Sequence, residues 1–146
     1  MEIGCGNGSN SARLQHRALR LVAVDGSPTA VELTRSRLGT RADAICACLP
    51  DGLPEGPFTA MVAAEVLYYL SPHELEALGT RLARAMVPGA ALVLAHHHVP
   101  FADTATPPAE VHGRLHAALA RAGRAPSPLR LVTRTSRWRV ERCRLG

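Results

Sequence analysis

Three glycines, Gly4, Gly6 and Gly8, stand at alternate positions in the opening stretch MEIGCGNG. Glycine allows backbone torsions that other residues avoid, and it lets the backbone approach a bound ligand closely. The spacing predicts a turn that follows a buried strand and holds a nucleotide-like ligand, although a purely structural turn would use the same residues. A dinucleotide-binding turn requires its third glycine at position 9, where this chain has Ser9. The pattern therefore disfavours a nicotinamide-dependent oxidoreductase.

Two acidic residues accompany the glycines. Glu2 precedes the first glycine by two positions, and Asp25 ends the next apolar stretch, LRLVAVD. A carboxylate attracts and orients an ammonium group, which suits Glu2 to a ligand with an amino group. An acid at the end of the second strand can accept hydrogen bonds from both hydroxyls of a ribose. Asp25 could equally cap a helix that begins near Ser27, and both interpretations stay open.

Histidines suggest a second chemistry, metal binding. His96, His97 and His98 are consecutive. His112 and His116 are spaced as neighbours on one face of a helix. Because consecutive strand residues point to opposite faces, at most His96 and His98 converge. No nearby cysteine or acidic motif completes a zinc ligand set, so the sequence predicts no metal site.

The elements that carry these residues alternate between strands and helices. Apolar runs predict five strands: one ending at Ile3, then LRLVAVD, ADAICACL, FTAMVAAEVL and AALVLAHHH. The final stretches LRLVTRT and RWRVERCRL predict an antiparallel hairpin. We therefore expect an α/β fold with a Rossmann-like, doubly wound, mostly parallel sheet. Gly4 to Gly8, Asp25, Glu65 and His96 would all lie at strand carboxyl ends, where such sheets bind ligands.

The clearest helix follows Ser71, which forms a capping box with Glu74 and precedes Pro72. Pro88-Gly89 predicts its end. Its apolar face is formed by Leu75, Leu78, Leu82 and Met86. Further helices are expected over residues 10–19, after Ser27-Pro28, and over residues 110–122.

Composition limits the function classes. The chain has 146 residues, 47% apolar and 20% charged, which predicts one globular domain. No apolar run approaches the roughly 20 residues that cross a bilayer, and no signal peptide is evident. The four cysteines form no CxxC pair, which favours reduced thiols. A cytoplasmic protein without a membrane partner is the expectation.

All 17 basic residues are arginines, and nine of them follow residue 113. The resulting net charge of +5 predicts a basic surface near the end of the chain. An arginine-rich nucleic-acid-binding module is therefore one alternative function, although the absence of lysine also reflects codon bias. Nucleic acid is not the partner that the sequence favours.

The motif, its spacing and the order of elements resemble class I S-adenosylmethionine-dependent methyltransferases. The stretch AAEVLYYL, and EVH ending sixteen residues after His96, are similar to the NodS-like (nodulation protein S) family. The nodulation protein to which that family is related N-methylates the amino sugar of a chitin oligosaccharide. The resemblance implies S-adenosyl-L-methionine as cofactor and a small polar acceptor such as an amino sugar or oligosaccharide. It does not indicate an oligomeric state.

The resemblance also implies roles for individual residues. Eight residues would contact the cofactor: Glu2 its amino group, Gly4, Gly6 and Gly8 its methionine part, Asp25 the ribose, Gly26 the adenine, and Glu65 and Val66 the sulfonium end. Cys48 stands near the position where family members carry an acid for the adenine, with Asp51 three residues on. An amine acceptor must be unprotonated, so a nearby base helps; the candidate catalytic residues are His96 and either Tyr68 or Tyr69, of which Tyr69 is selected.

The glycine turn begins only four residues into the chain. The resemblance therefore predicts one methyltransferase domain over residues 1–146 from which an amino-terminal part is missing, with the first strand incomplete. A cofactor-binding relic without catalysis is the second alternative function.

Overall fold

A computed structural model describes all 146 residues and contains one seven-stranded sheet of order β3-β2-β1-β4-β5-β7-β6. Strands β1 to β5 pair in parallel, whereas β7 is antiparallel to both β5 and β6. The expected doubly wound, mostly parallel sheet with a terminal hairpin is confirmed. The strands are β1 Glu2–Ile3, β2 Val22–Asp25, β3 Asp43–Cys46, β4 Phe58–Ala64, β5 Met86–His97, β6 Arg130–Arg134 and β7 Trp138–Arg144.

Four α-helices and two single-turn helices connect the strands. The single turns cover Gly39–Arg41 and Leu67–Tyr69. The α-helices are α1 Ser9–Leu14, α2 Pro28–Leu38, α3 Pro72–Ala85 and α4 Val111–Arg121. None of the helices has the length and apolar character needed to cross a membrane.

The start of α3 is as predicted, but its end is not. The Ser71 hydroxyl accepts a hydrogen bond from the backbone of Glu74, whose carboxylate accepts one from the backbone of Ser71. The helix stops at Ala85, and Met86 begins β5 instead of extending the apolar face of α3. Pro88 favours extended backbone at the residue before it, and the Arg124 guanidinium donates to the Met86 carbonyl, so the chain leaves the helix early.

The strand order places a topological switch point between β1 and β4. From β1 the chain steps outward to β2 and β3, and from β4 it steps in the opposite direction to β5. Right-handed crossovers in opposite directions place α2 and α3 on opposite faces of the sheet. Glu2 and Ile3 pair with Ala23 and Val24 on one side and with Val62 and Ala63 on the other. Ligands bind at the carboxyl end of such a switch point.

The sheet and the α3–α4 pair share one apolar core. Leu78 and Leu82 of α3 and Leu115 and Leu119 of α4 are completely buried. At the other extreme, β6 forms a free edge of the sheet, and all five of its residues are exposed.

Candidate functional site

The glycine turn lies between β1 and α1, and each of its glycines has a positive φ: 72° at Gly4, 54° at Gly6 and 76° at Gly8. A β-carbon at Gly4 would lie 2.6 Å from Cβ of Val66, and one at Gly8 would lie 3.0 Å from Cα of Thr34. A β-carbon at Gly6 would have no atom within 4 Å. Gly4 and Gly8 therefore pack the turn against the protein, whereas Gly6 leaves open space beside it.

Asp25 joins this turn to the start of α2. Its Oδ2 accepts a hydrogen bond of 2.9 Å from the backbone N–H of Gly6, and its Oδ1 accepts one of 2.9 Å from Ser27. The N-cap of α2 is Ser27 itself, whose hydroxyl accepts from Ala30. Each carboxylate oxygen can accept a further hydrogen bond. Asp25 thus supports the helix start and still offers acceptors for two hydroxyls.

Glu2 is completely buried directly before the turn. Its Oε2 accepts a hydrogen bond from the hydroxyl of Ser11, whereas its Oε1 is buried without a partner. Burial raises the pKa of Glu2, and the hydrogen bond from Ser11 opposes this effect. A buried polar atom without a partner is costly, and an ammonium group would supply the missing donor. The orphaned oxygen therefore fits the amino group that the sequence analysis assigns to Glu2.

Gly26 and Cys48 lie together beyond β2 and β3. A β-carbon at Gly26 would lie 3.7 Å from Sγ of Cys48. Asp51 instead forms an ion pair of 2.7 Å with Arg81 of α3. Of these two residues, Cys48 is therefore the one that lies beside Gly26.

Glu65 and Val66 follow β4 and meet different neighbours. The carboxylate of Glu65 accepts a hydrogen bond of 2.7 Å from the backbone of His97, and its other oxygen lies 2.6 Å from Nδ1 of the same residue. Val66 packs against Gly4, since a β-carbon at Gly4 would lie only 2.6 Å from Cβ of Val66. Val66 thus borders the glycine turn, while Glu65 connects the ends of β4 and β5.

His96 is not placed to be the base that the sequence predicts. The side chain is 1% exposed, and its Nε2 accepts hydrogen bonds from the backbone of Val66 at 3.2 Å and of Leu67 at 3.1 Å. Two donors at Nε2 require the proton on Nδ1, which lies 2.9 Å from Nε2 of His112. Nδ1 of His112 in turn lies 2.7 Å from Oε2 of Glu141. With both nitrogens engaged, His96 has no lone pair for a substrate and instead fixes the turn after β4.

The buried imidazole of His96 predicts a loss of stability in acid. Burial, followed by the nearby His112 and Arg139, lowers the pKa of His96 from 6.5 to about 2. Between these values the unfolded chain binds one more proton than the folded chain. The contribution of His96 to the free energy of unfolding is therefore fully present above pH 6.5 and falls by about 1.4 kcal/mol per pH unit below it. Urea unfolding at pH 7.5 and pH 5 measures this slope.

Two variants test whether His96, and not another histidine, causes this pH dependence of the free energy of unfolding. His96→Gln removes the titrating group, so we expect a shallower slope. His73→Gln changes an exposed residue of α3 and is expected to keep the original slope. An identical slope in His96→Gln and the unchanged protein would contradict the assignment.

Tyr69 lines a cavity of about 410 Å³ at the carboxyl ends of β4 and β5. Its side chain is 54% exposed, whereas the neighbouring Tyr68 is buried, which raises the pKa of the Tyr68 phenol. Tyr68 packs edge-to-face on Tyr69 and Phe101. The cavity is lined by Glu65, Tyr68, Tyr69, His97, Val99, Pro100, Phe101 and Arg137.

Several residues around this cavity were not identified from the sequence. Phe101 is 42% exposed, and Trp138 is 39% exposed with its ring 4.2 Å from that of His97. The β5–β7 pairing brings Arg137 of the hairpin to the cavity and Trp138 to His97. The only sequence signal was an aromatic residue among arginines, and it did not specify this location.

The histidines do not converge on a metal site, and most of the carboxyl-terminal arginines contact other parts of the chain. His96 meets His112 and not His98, and no group of three or more candidate ligands is arranged to hold a metal ion. Five of the nine arginines after residue 113 bind acidic side chains or backbone carbonyls of the chain: Arg114, Arg121, Arg124, Arg139 and Arg144. More than half of the arginines that suggested a nucleic-acid partner thus form contacts within the chain.

Residues 1–89, which contain the glycine turn, Asp25, Glu65 and Val66, match a family described as methyltransferase domain. The chain belongs to this family. Nodulation protein S of Rhizobium tropici is 32% identical over 96 residues, which are 64% of this chain and 40% of that protein. The matched region thus spans less than half of this curated relative.

Solved methyltransferase structures share the fold over almost the whole chain. The N-methyltransferase NodS from Bradyrhizobium japonicum, in complex with S-adenosyl-L-homocysteine, has a TM-score of 0.78 at 20% identity and covers 99% of this chain and 76% of that one. The mitomycin 7-O-methyltransferase MmcR has a TM-score of 0.75 at 19% identity, with coverage of 99% and 48%. The expected class I methyltransferase fold and the resemblance to NodS are confirmed.

Proposed function

We propose that this chain is an S-adenosylmethionine-dependent methyltransferase that acts on an amine of a small polar acceptor. The observation that carries the proposal is the set of Glu2, the glycine turn and Asp25 at the switch point. Glu2 has an orphaned buried oxygen, Gly6 leaves open space, and Asp25 retains free acceptor positions. An amino acid joined to a nucleoside carries the complementary groups in the same order.

The residues that would hold the cofactor are those of this set together with Gly26 and Val66. Glu2 would accept from its ammonium group, and Asp25 would accept from its ribose hydroxyls. When bound, the cofactor supplies a methyl group on a positively charged sulfur. The chain's own contribution is to orient the acceptor opposite that sulfur, because correct orientation can lower the barrier by several kcal/mol.

The cavity beside Glu65 would receive the acceptor. Tyr69 and Phe101 line it with partly exposed aromatic side chains, and such rings pack against the apolar faces of sugar rings or other flat groups. The similarity to nodulation protein S supports N-methylation and favours an amino sugar or oligosaccharide among small polar acceptors. Tyr69 remains a candidate for contact with the acceptor.

Binding of S-adenosylhomocysteine tests the cofactor site. Asp25→Ala is expected to weaken binding by about 1–3 kcal/mol because it removes charged acceptors from the ribose position. Isothermal titration calorimetry measures the difference. Asp43→Ala is the matched control, since Asp43 is exposed at the start of β3 and pairs only with Arg20. Equal affinity of the Asp25→Ala variant and the unchanged chain would remove Asp25 from the site.

Methyl transfer tests the acceptor class. Incubation with labelled S-adenosylmethionine and partly deacetylated chitin oligomers is expected to label the oligomers, whereas fully acetylated oligomers, which lack a free amine, serve as the control. Transfer to RNA or protein alone would contradict the proposed acceptor.

A further inference from the structure

Resting on the proposed function, we infer that His97, held by Glu65, is the general base that removes a proton from the acceptor amine. His97 ends β5 one residue after His96 and points to the opposite face of the sheet. It lines the cavity with Tyr69 and Phe101, whereas His96 is buried away from it. The sequence pattern had selected His96, and not His97, as the candidate base.

The Glu65–His97 pair fixes the ring and its proton. One oxygen of Glu65 accepts from the His97 backbone N–H at 2.7 Å, and the other lies 2.6 Å from Nδ1. A carboxylate can only accept, so Nδ1 carries the proton and Nε2 holds the free lone pair. No residue of the chain hydrogen-bonds to Nε2, and the cavity is the space that the ring lines. This orientation is the one that a base facing a substrate requires.

The surroundings keep the ring in this orientation. Trp138 lies against it with 4.2 Å between ring centroids, and Phe101 lies edge-on at 6.3 Å. The backbone of Glu65 adopts a φ of 54°, a left-handed value that is rare for residues other than glycine. Such backbone is retained where the surrounding structure demands it. Here it accompanies a carboxylate that contacts His97 twice.

The charged and titratable groups around His97 have opposing effects. From the end of β4, the Glu65 carboxylate favours the imidazolium that forms when Nε2 takes a proton. From the turn between β6 and β7, the guanidinium of Arg137 lines the same cavity and disfavours it. Tyr68 and Tyr69, from the single turn after β4, contribute neutral phenols. Glu65 is the charged group in direct contact with His97.

In the proposed reaction, proton transfer to His97 precedes methyl transfer. An acceptor ammonium gives one N–H proton to Nε2 of His97, which leaves a neutral amine and an imidazolium paired with Glu65. The amine lone pair then forms the N–C bond to the methyl group while the C–S bond breaks and its electron pair stays on sulfur. The products are a methylated ammonium and S-adenosylhomocysteine. His97 later releases its proton to water.

The pH dependence of methyl transfer tests the assignment. In the unchanged chain, kcat for partly deacetylated chitin oligomers should fall tenfold per pH unit at low pH, as one group becomes protonated. His97→Gln should lower kcat about 100- to 10,000-fold at neutral pH. The variant should also lose the fall in kcat that protonation of His97 causes at low pH. The loss should shrink at a pH above the pKa of the acceptor amine, where the substrate arrives unprotonated. Glu65→Gln should lower kcat in the same direction by a smaller factor.

Two controls separate this inference from the proposed function. Calorimetry with S-adenosylhomocysteine should give the same affinity for His97→Gln and the unchanged chain, and His98→Gln should keep the unchanged pH profile. If the unchanged chain neither binds S-adenosylhomocysteine nor transfers the methyl group, the proposed function fails and the inference with it. If the unchanged chain is active and His97→Gln retains its low-pH limb and its kcat, only the assignment of the base is overturned.

Discussion

Replacing His96 with leucine is expected to lower the free energy of unfolding by about 3–5 kcal/mol, since each buried polar group left without a partner costs about 1–3 kcal/mol. The substitution nearly preserves volume but removes the acceptor for the backbone N–H groups of Val66 and Leu67. It also leaves Nε2 of His112 without its donor. Urea denaturation at pH 7.5 measures the loss.

His96→Gln and His96→Asn are the matched comparisons. The glutamine side chain places its terminal oxygen near the position of Nε2 and can accept from the backbone of the turn. The asparagine side chain reaches only the position of Nδ1 and can donate to His112. We therefore expect the glutamine variant to lose less stability than the leucine variant, with asparagine between them. Equal losses in all three would show that packing, and not hydrogen bonding, is the contribution of His96.

Gly4→Ala is expected mainly to lower stability, whereas Gly6→Ala is expected mainly to weaken cofactor binding. At Gly4 the added methyl would lie 2.6 Å from Cβ of Val66, and φ is 72°, so steric overlap adds to backbone strain. We expect a loss of about 2–5 kcal/mol in the free energy of unfolding, which combines the costs of overpacking and of left-handed backbone. At Gly6 the methyl meets nothing, so the strain of about 1–2 kcal/mol is the only structural cost.

Binding should separate the two glycine variants further. The methyl of Gly6→Ala occupies the open space beside the turn, so the folded variant should bind S-adenosylhomocysteine at least tenfold more weakly. Urea unfolding and calorimetry on the same samples test both effects. A Gly6→Ala variant with full affinity would place the ligand elsewhere, and a Gly4→Ala variant as stable as Gly6→Ala would refute the packing role of Gly4.

Features encoded over a few residues could be predicted from the sequence. The glycine turn, Asp25 at the end of β2 and the capping box at Ser71 depend on residue type and local spacing, and the structure has them where expected. The end of α3 was missed because Met86 suits a buried helix face and a buried strand equally well. Contacts from residues distant in sequence hold Met86 in the strand: it pairs with Phe58 of β4, and Arg124 donates to its carbonyl.

The choice between His96 and His97 was beyond the sequence for a related reason. Apolar residues occupy both faces of β5 before the histidines, so the pattern AALVLAHHH does not say which histidine is buried and which lines the cavity. The decision comes from His112 on α4 and Glu65 after β4, which bind opposite faces of β5. Trp138 was missed because it meets His97 only through the pairing of β5 with β7.

The exposed edge strand β6 has a consequence for the colloidal behaviour of the chain. A free strand edge is a template on which further copies can assemble, and β6 exposes Leu131 and Val132 at its centre. Arg130 and Arg134 stand at its two ends. Antiparallel addition of a second copy in full register would place guanidinium groups opposite each other at both ends, and this repulsion opposes strand-by-strand growth. Screening shortens the reach of these charges to about 3 Å at 1 M salt, so concentrated salt weakens the protection that the arginines give.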